Sequence, residues 1–175
     1  VRAAIETLYK KALNMSDGCV FVNEADPAYF LSRGLIAEEK IFKIKSVGVD
    51  TLKFDENSVP AANLGEDLRG KKIVLMIARA MWHKGVREFY EAAELLRGRE
   101  DCAFVFAGEG FEGNKSTADA KFLKGGAVRY LGARDDVPEL LKASYLLALP
   151  SYKEGFPRTV LEAMSMGRAV VASDV

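Results

Sequence analysis

Histidine is nearly absent from this chain: its 175 residues contain one, His83. A zinc site of the HExxH type needs two on one helical face, so that chemistry is excluded. Cysteine is almost as scarce. Cys19 and Cys102 stand far apart, Cys102 inside a strand-like run, and read as reduced core thiols of a cytosolic protein. Net charge is also missing, with 25 basic residues against 25 acidic ones. No global field marks a nucleic-acid or polyanion binder, so any cationic site must be local. No apolar run approaches the ~18 residues of a membrane span, and no secretory signal is visible. Those absences predict a cytoplasmic protein. The chain opens on Val1 and stops at Val175, directly after the apolar run 169–172, which reads as a piece of something longer.

What is present is a large apolar share, 49% of residues, with 10% aromatic, enough for a substantial core. From Lys71 onward short apolar runs alternate with amphipathic ones. IVLMIA (73–78) suits a strand buried on both faces of a parallel sheet. Residues 85–97 carry Val86, Phe89, Tyr90, Ala93 and Leu96 at helical spacing. Strand-like AFVFA (103–107) and AVRYL (127–131) follow, then a helix over 135–143, with acidic residues in its first turn and Pro138 near its start. YLLAL (145–149), a helix over 157–166 and AVVA (169–172) complete the pattern. Strands alternating with helices predict an α/β fold with right-handed crossovers and a doubly wound parallel sheet.

The first seventy residues differ. Ile5, Leu8, Ala12 and Leu13 form a helical stripe, Cys19–Val22 a short strand, 27–33 a short helix and Ile41–Val47 another strand. Residues 1–48 therefore read as the tail of a separate αβ domain, 49–70 as a polar interdomain linker, and 71–175 as the main, incomplete domain.

Three stretches carry chemistry. Arg79 and Lys84 lie between a buried strand and the helix after it, and open αβ sheets bind ligands at the carboxyl ends of their strands. A guanidinium fork and an ammonium converging there suit a diphosphate without a metal. His83 beside them reads as a loop residue. Gly108-Glu109-Gly110-Phe111-Glu112-Gly113 fits GxGxxG, the dinucleotide fingerprint. That reading is disfavoured: a complete βα pair precedes the loop, and Glu109 and Glu112 put negative charge where a pyrophosphate needs positive potential. The glycines instead permit a close approach or a turn.

The most informative stretch is SYKEGFPRTVLEAMSM (151–166). It sets Glu154 in a loop and Glu162 in the helix that the loop launches. Carboxylates accept hydrogen bonds through both oxygens, which suits hydroxyl-rich molecules. The helix start offers unpaired N–H groups, which suits phosphate. Pro157 fits the first turn, and Val160, Leu161 and Met164 are expected on the sheet face, with Glu162 on the flank away from it. The plain alternative makes Glu162 an exposed residue pairing with Arg158 at i, i+4.

Together, IARAMWHKG (77–85), FVFAGEG (104–110), VRYLGARDDVPELLKAS (128–144), LPSYKEGFPRTVLEAMSMGRAVVASDV (149–175) and KIKSVGVDTLKF (43–54) resemble the retaining GT-B-fold glycosyltransferases of family GT4. The resemblance implies two Rossmann-like domains: the tail of an N-terminal, acceptor-side one and most of a C-terminal, nucleotide-sugar one. It implies that Glu154 contacts a hydroxyl of the transferred sugar and Glu162 the ribose. Arg79 and Lys84 match the basic pair on the donor diphosphate. Gly132, Ala133 and Arg134 match the base-binding strand end, and Gly108, Glu109 and Gly110 the glycine loop near the donor. Gly155, Phe156 and the amides near Thr159 and Val160 complete the donor-binding set. No metal is implied.

The form with Arg158 after Pro157 is similar to transferases of bacterial capsule, O-antigen and lipid-linked oligosaccharide assembly. That implies a UDP-sugar donor, an undecaprenyl-linked glycan or polysaccharide acceptor, and peripheral membrane contact through the N-terminal domain at the inner face. The 175-residue stretch alone is expected to be inactive. Rival expectations are another GT-B enzyme such as a sugar-nucleotide epimerase, a non-catalytic nucleotide-binding module, or an NAD-type oxidoreductase.

Overall fold

The computed structural model describes residues 2–44, 48–111 and 113–175. The chain divides into two units, Val1–Gly48 and Val49–Val175. In the first, α1 (Arg2–Met15), β1 (Cys19–Phe21), α2 (Ala25–Ser32) and β2 (Ile41–Lys43) follow in order. β1 and β2 pair in parallel. Buried Phe21, Leu35 and Ile36 form its small core, and Phe30 packs edge-on against both Tyr9 and Phe21. Helix α1 buries none of its residues. A hydrogen-bonded cluster of Arg33, Tyr29 and Arg2 around Glu6 holds that carboxyl at about 2. The expected strand Ile41–Val47 is shorter, because it ends at Lys43, and 45–47 lie outside the described residues. Glu112 of the glycine run lies outside them too.

The second unit is built on a five-stranded sheet of order β5-β4-β3-β6-β7. Its strands are β3 (Lys72–Ile77), β4 (Cys102–Ala107), β5 (Val128–Tyr130), β6 (Leu146–Leu149) and β7 (Ala169–Ala172). Every pairing is parallel. The chain starts in the middle with β3, builds outward through β4 and β5, then crosses back to β6 and β7. Strand order therefore reverses between β3 and β6, and the crevice at that point, outside the carboxyl ends, is where such sheets hold ligands.

The apolar runs of β3, β4 and β6 form strands that are covered on both faces, whereas edge strand β7 is mostly exposed. Leu75 and Met76 of β3 are fully buried, the first in a cluster with Val105, Leu140, Leu141 and Leu147, the second with Val86, Phe89, Tyr90 and Phe106. Each such side chain contributes about 1.5–3 kcal/mol by leaving water. Helix α3 (Val86–Leu95) buries Val86, Phe89, Tyr90 and Ala93. Leu96 leaves that stripe, because it caps the helix and is exposed. Helix α4 (Ala120–Leu123), capped by the Asp119 carboxylate on the Phe122 N–H at 2.7 Å, was not expected. Helix α5 spans Val137–Ala143.

Two expectations are corrected by packing. Residues 49–70 are polar in composition yet belong to the second unit's core through buried Phe54 and Leu68. Ser165 Oγ donates to the Phe54 carbonyl at 2.7 Å, and Ala62 N–H to the Glu139 carbonyl at 2.9 Å. Helix α6 (Arg158–Ser165) packs on the core through Val160, as expected, but its inward face is otherwise shifted. Ala163 within it and Met166 just beyond are buried, whereas Met164 is exposed. The small Ala163 side chain lets the helix lie close to the sheet, and Glu162, next to it, is drawn toward the core.

Candidate functional site

The loop after β3 is shaped by a glycine. Residues 82–84 form one tight turn that ends at Gly85, φ +76°, where α3 begins. A Cβ on Gly85 would lie 2.0 Å from the Pro150 carbonyl oxygen. The loops after β3 and β6 thus meet backbone to backbone at the strand-order reversal. They are stitched by Tyr152 N–H on the His83 carbonyl at 2.9 Å and by buried Ser151, whose hydroxyl donates to the Lys84 carbonyl at 3.4 Å. The stitching delivers Lys84 to Glu154. Nζ donates to Oε1 at 2.7 Å, and each side chain is 15% exposed. Charge-assisted bonds of this length, partly shielded from water, are the strong ones.

Arg79 sits one step earlier in the same loop. It is exposed, and its guanidinium carbon lies 5.8 Å from the centroid of the Phe111 ring. Phe111 is fixed by its own loop: its N–H and carbonyl both bond Thr117 Oγ1, at 3.2 and 3.0 Å. The aromatic face therefore braces the cation at the mouth of the crevice.

The glycine run has a steric cause inside the protein. Gly108 has φ +142°, and a Cβ there would lie 1.9 Å from the Ala78 carbonyl oxygen. Its N–H donates to the Gly132 carbonyl at 2.7 Å, so the ends of β3, β4 and β5 are drawn together. Gly108 serves contact between neighbouring strand ends, whereas a Cβ on Gly110 would meet the Thr117 side chain at 2.0 Å and one on Gly113 would meet nothing within 4 Å.

Beside them lies a cleft of about 420 Å³ whose walls include Arg79, Gly108, Glu109, Gly110, Phe111, Ala133, Arg134 and Thr159. Seven residues singled out from the sequence thus share one cavity. A larger cavity, about 890 Å³, lies along α3 and α4 around Tyr90, Leu95 and Phe122. None of the singled-out residues lines it, and it has no share in the strand-end edge. Arg134 is engaged with Asp136: Nε bonds Oδ1 at 2.7 Å, and the second nitrogen bonds Oδ2. That pairing holds the Asp136 carboxyl below its ordinary range. Gly132 turns the chain at φ +71° just before.

At α6, Pro157 is the N-cap, with φ −76°, and not part of the first turn. The N–H of Val160 already donates to the Pro157 carbonyl at 3.1 Å. Of the two expected anion-binding positions, Thr159 is therefore the one that lines the cleft. Glu162 is 13% exposed, and its contact with Arg158 is long, 3.9 Å. Burial pushes its carboxyl pKa up, opposed by Arg158 and Lys53. It is not the exposed surface partner that the i, i+4 spacing allows. Gly155 is exposed and Phe156 half-buried in the connecting loop.

Sequence reasoning missed the brace from Phe111, the Asp136 clamp and Glu88. The Tyr152 hydroxyl donates to Glu88 Oε1, while Oε2 is buried without a partner among the described residues. An aromatic inside a glycine run was a signal for the first; Glu88 offers none, since it is one acidic residue in a helix's first turn. Among the described residues no group of three or more His, Cys, Asp or Glu is disposed to hold a metal ion.

Known proteins resemble this arrangement. The chain is 46% identical over 181 residues to the N,N'-diacetylbacillosaminyl-diphospho-undecaprenol alpha-1,3-N-acetylgalactosaminyltransferase of Campylobacter jejuni, covering 99% of this chain and 46% of that one. It is 32% identical over 161 residues to the UDP-Gal:alpha-D-GlcNAc-diphosphoundecaprenol alpha-1,3-galactosyltransferase of Escherichia coli, covering 79% and 41%. The chain spans less than half the length of these relatives. Anabaena HepE, solved in complex with UDP and glucose, superposes with a TM-score of 0.74 at 22% identity, over 97% of this chain and 49% of that one. That likeness gives the fold, which is of the GT-B type. Residues 71–175 match the family model described as glycosyl transferases group 1, and the chain belongs to that family.

Proposed function

We propose that residues 71–175 form most of the nucleotide-sugar half of a retaining glycosyltransferase, and that residues 1–48 end its acceptor-side domain. The observation that carries this is the convergence of Arg79, the 108–111 loop, Ala133, Arg134 and Thr159 on one cleft at the strand ends. The Lys84–Glu154 pair stands at the strand-order reversal on the same edge. In this reading the 132–134 backbone receives the base, and Glu162, ionised, accepts hydrogen bonds from the ribose hydroxyls. Arg79, Lys84 and the start of α6 face the diphosphate, and Glu154 faces a hydroxyl of the sugar.

The chemistry follows from where charge develops. As the glycosidic bond to the β-phosphate breaks, the anomeric carbon becomes oxocarbenium-like and the leaving phosphate oxygen gains negative charge. Cations already in place stabilise that charge without reorganisation, the term that usually contributes most to catalysis. No metal and no general base from this half are required. The donor we favour is a UDP-linked hexose or N-acetylhexosamine, and the acceptor an undecaprenyl-linked glycan or polysaccharide at the cytoplasmic face of the membrane. The relatives' names support both, since one acts with UDP-Gal and both on diphospho-undecaprenol-linked sugars. Titrating the full-length protein with UDP, GDP, ADP and NAD tests the reading. UDP is expected to raise the melting temperature and Glu162→Ala to abolish that rise; stabilisation by NAD alone would overturn it.

A further inference from the structure

The contact between Lys84 and Glu154 joins two residues that the donor-site reading assigns to different parts of one ligand. The inference here rests on that reading and goes beyond it. Lys84 Nζ stands 2.7 Å from Glu154 Oε1. The cation meant for the diphosphate therefore has a carboxylate in direct contact, held across 70 residues of sequence by the stitched loops. We propose that Glu154 makes this site discriminate between the intact sugar nucleotide and the nucleoside diphosphate left after transfer, by competing with the diphosphate for Lys84.

The discrimination follows from charge and hydrogen bonding. In a sugar nucleotide both phosphates are diesters with one negative charge each, and the sugar hydroxyls donate to Glu154, so its carboxylate remains satisfied as the diphosphate draws on Lys84. A nucleoside diphosphate ends in a phosphate held by a single anhydride linkage, whose second ionisation at about pH 6 adds charge, and it brings no sugar hydroxyl to Glu154. The carboxylate then faces an added anion at short range with only Lys84 to share between them, and like charges in a partly desolvated site repel strongly. Glu154 reclaims Lys84 and the nucleotide is expelled. One residue thus orients the sugar before transfer and speeds product release after it. Arg79 has no such role, since it is braced by an aromatic ring.

Calorimetric titration of UDP and of UDP-N-acetylgalactosamine into the full-length protein tests this. Glu154→Gln keeps the shape and removes the charge. It is expected to tighten UDP about tenfold while leaving the sugar nucleotide's affinity unchanged or weaker, so the ratio between the two ligands shifts toward UDP. Glu154→Asp, which keeps the charge, is expected to retain most of the discrimination, and circular dichroism melts show that the variants are folded. If wild-type protein binds UDP but Glu154→Gln binds it no tighter, this proposal is overturned and the donor-site reading stands. Wild-type protein that binds neither ligand would overturn both.

Discussion

Glu162 is a side chain whose burial is costly to the fold and whose proposed role is at the site. Burial raises its pKa above the ordinary 4.5, so the native state holds that proton more tightly than the unfolded chain does. Its contribution to stability is present below 4.5, is lost as pH rises through the raised value, and is unfavourable above it. Glu162→Gln is therefore expected to melt at a higher temperature than wild type at pH 7, with the difference closing toward pH 4.5. In the proposed reading the same change removes charged acceptors from the ribose, and hydrogen bonds to charged groups are worth about 1.5–3 kcal/mol. UDP affinity should fall by roughly ten- to a hundredfold. Calorimetry and thermal melts on one variant check both halves, and opposite signs are the signature.

At this scale the sequence revealed residue types better than partners. Arg79, Lys84, Glu154 and Glu162 stood out because strand ends and a helix start place charge at a known edge. That Lys84 and Glu154 touch was not legible, because 70 residues separate them and the stitching is backbone to backbone. The burial of Glu162 was missed for a related reason. It depends on which face of α6 turns inward, and that face includes Ala163 and Val160, followed by Met166.

Elements, by contrast, were mostly legible. Continuous apolar runs marked β3, β4 and β6 because parallel strands are covered on both faces. Four-residue α4 was not, since one turn has no periodicity to read. Residues 49–70 read as a linker because isolated Phe54 and Leu68 form no repeating pattern, although both are buried. The loops that join these elements depend on particular glycines. Gly85 combines φ +76° with a Cβ position 2.0 Å from Pro150 O, whereas Gly70, φ +78°, has nothing within 4 Å. Gly70→Ala should cost about 1–3 kcal/mol from backbone conformation alone, and Gly85→Ala clearly more. Urea unfolding of the two variants measures the difference. Equal costs would mean that the β3 and β6 loops are not locked together there.

At the largest scale, the five-stranded sheet of the second unit brings the loops after β3, β4, β5 and β6 to one edge, and Arg79, the 108–111 loop, Ala133, Arg134 and Thr159 line one cleft there. In the proposed reading cations and amides alone face the diphosphate, so turnover of the full-length protein is expected to be unchanged in excess EDTA; loss of activity restored by a divalent cation would contradict that. The central claim is that Arg79 and Lys84 stabilise the leaving diphosphate. Steady-state turnover of the full-length protein with a UDP-sugar, compared among wild type, Arg79→Ala and Lys84→Ala, tests it most directly. Each substitution should lower kcat by roughly a hundred- to a thousandfold, by analogy with the loss of one oxyanion donor. A kcat within a few fold of wild type in both variants would contradict the account.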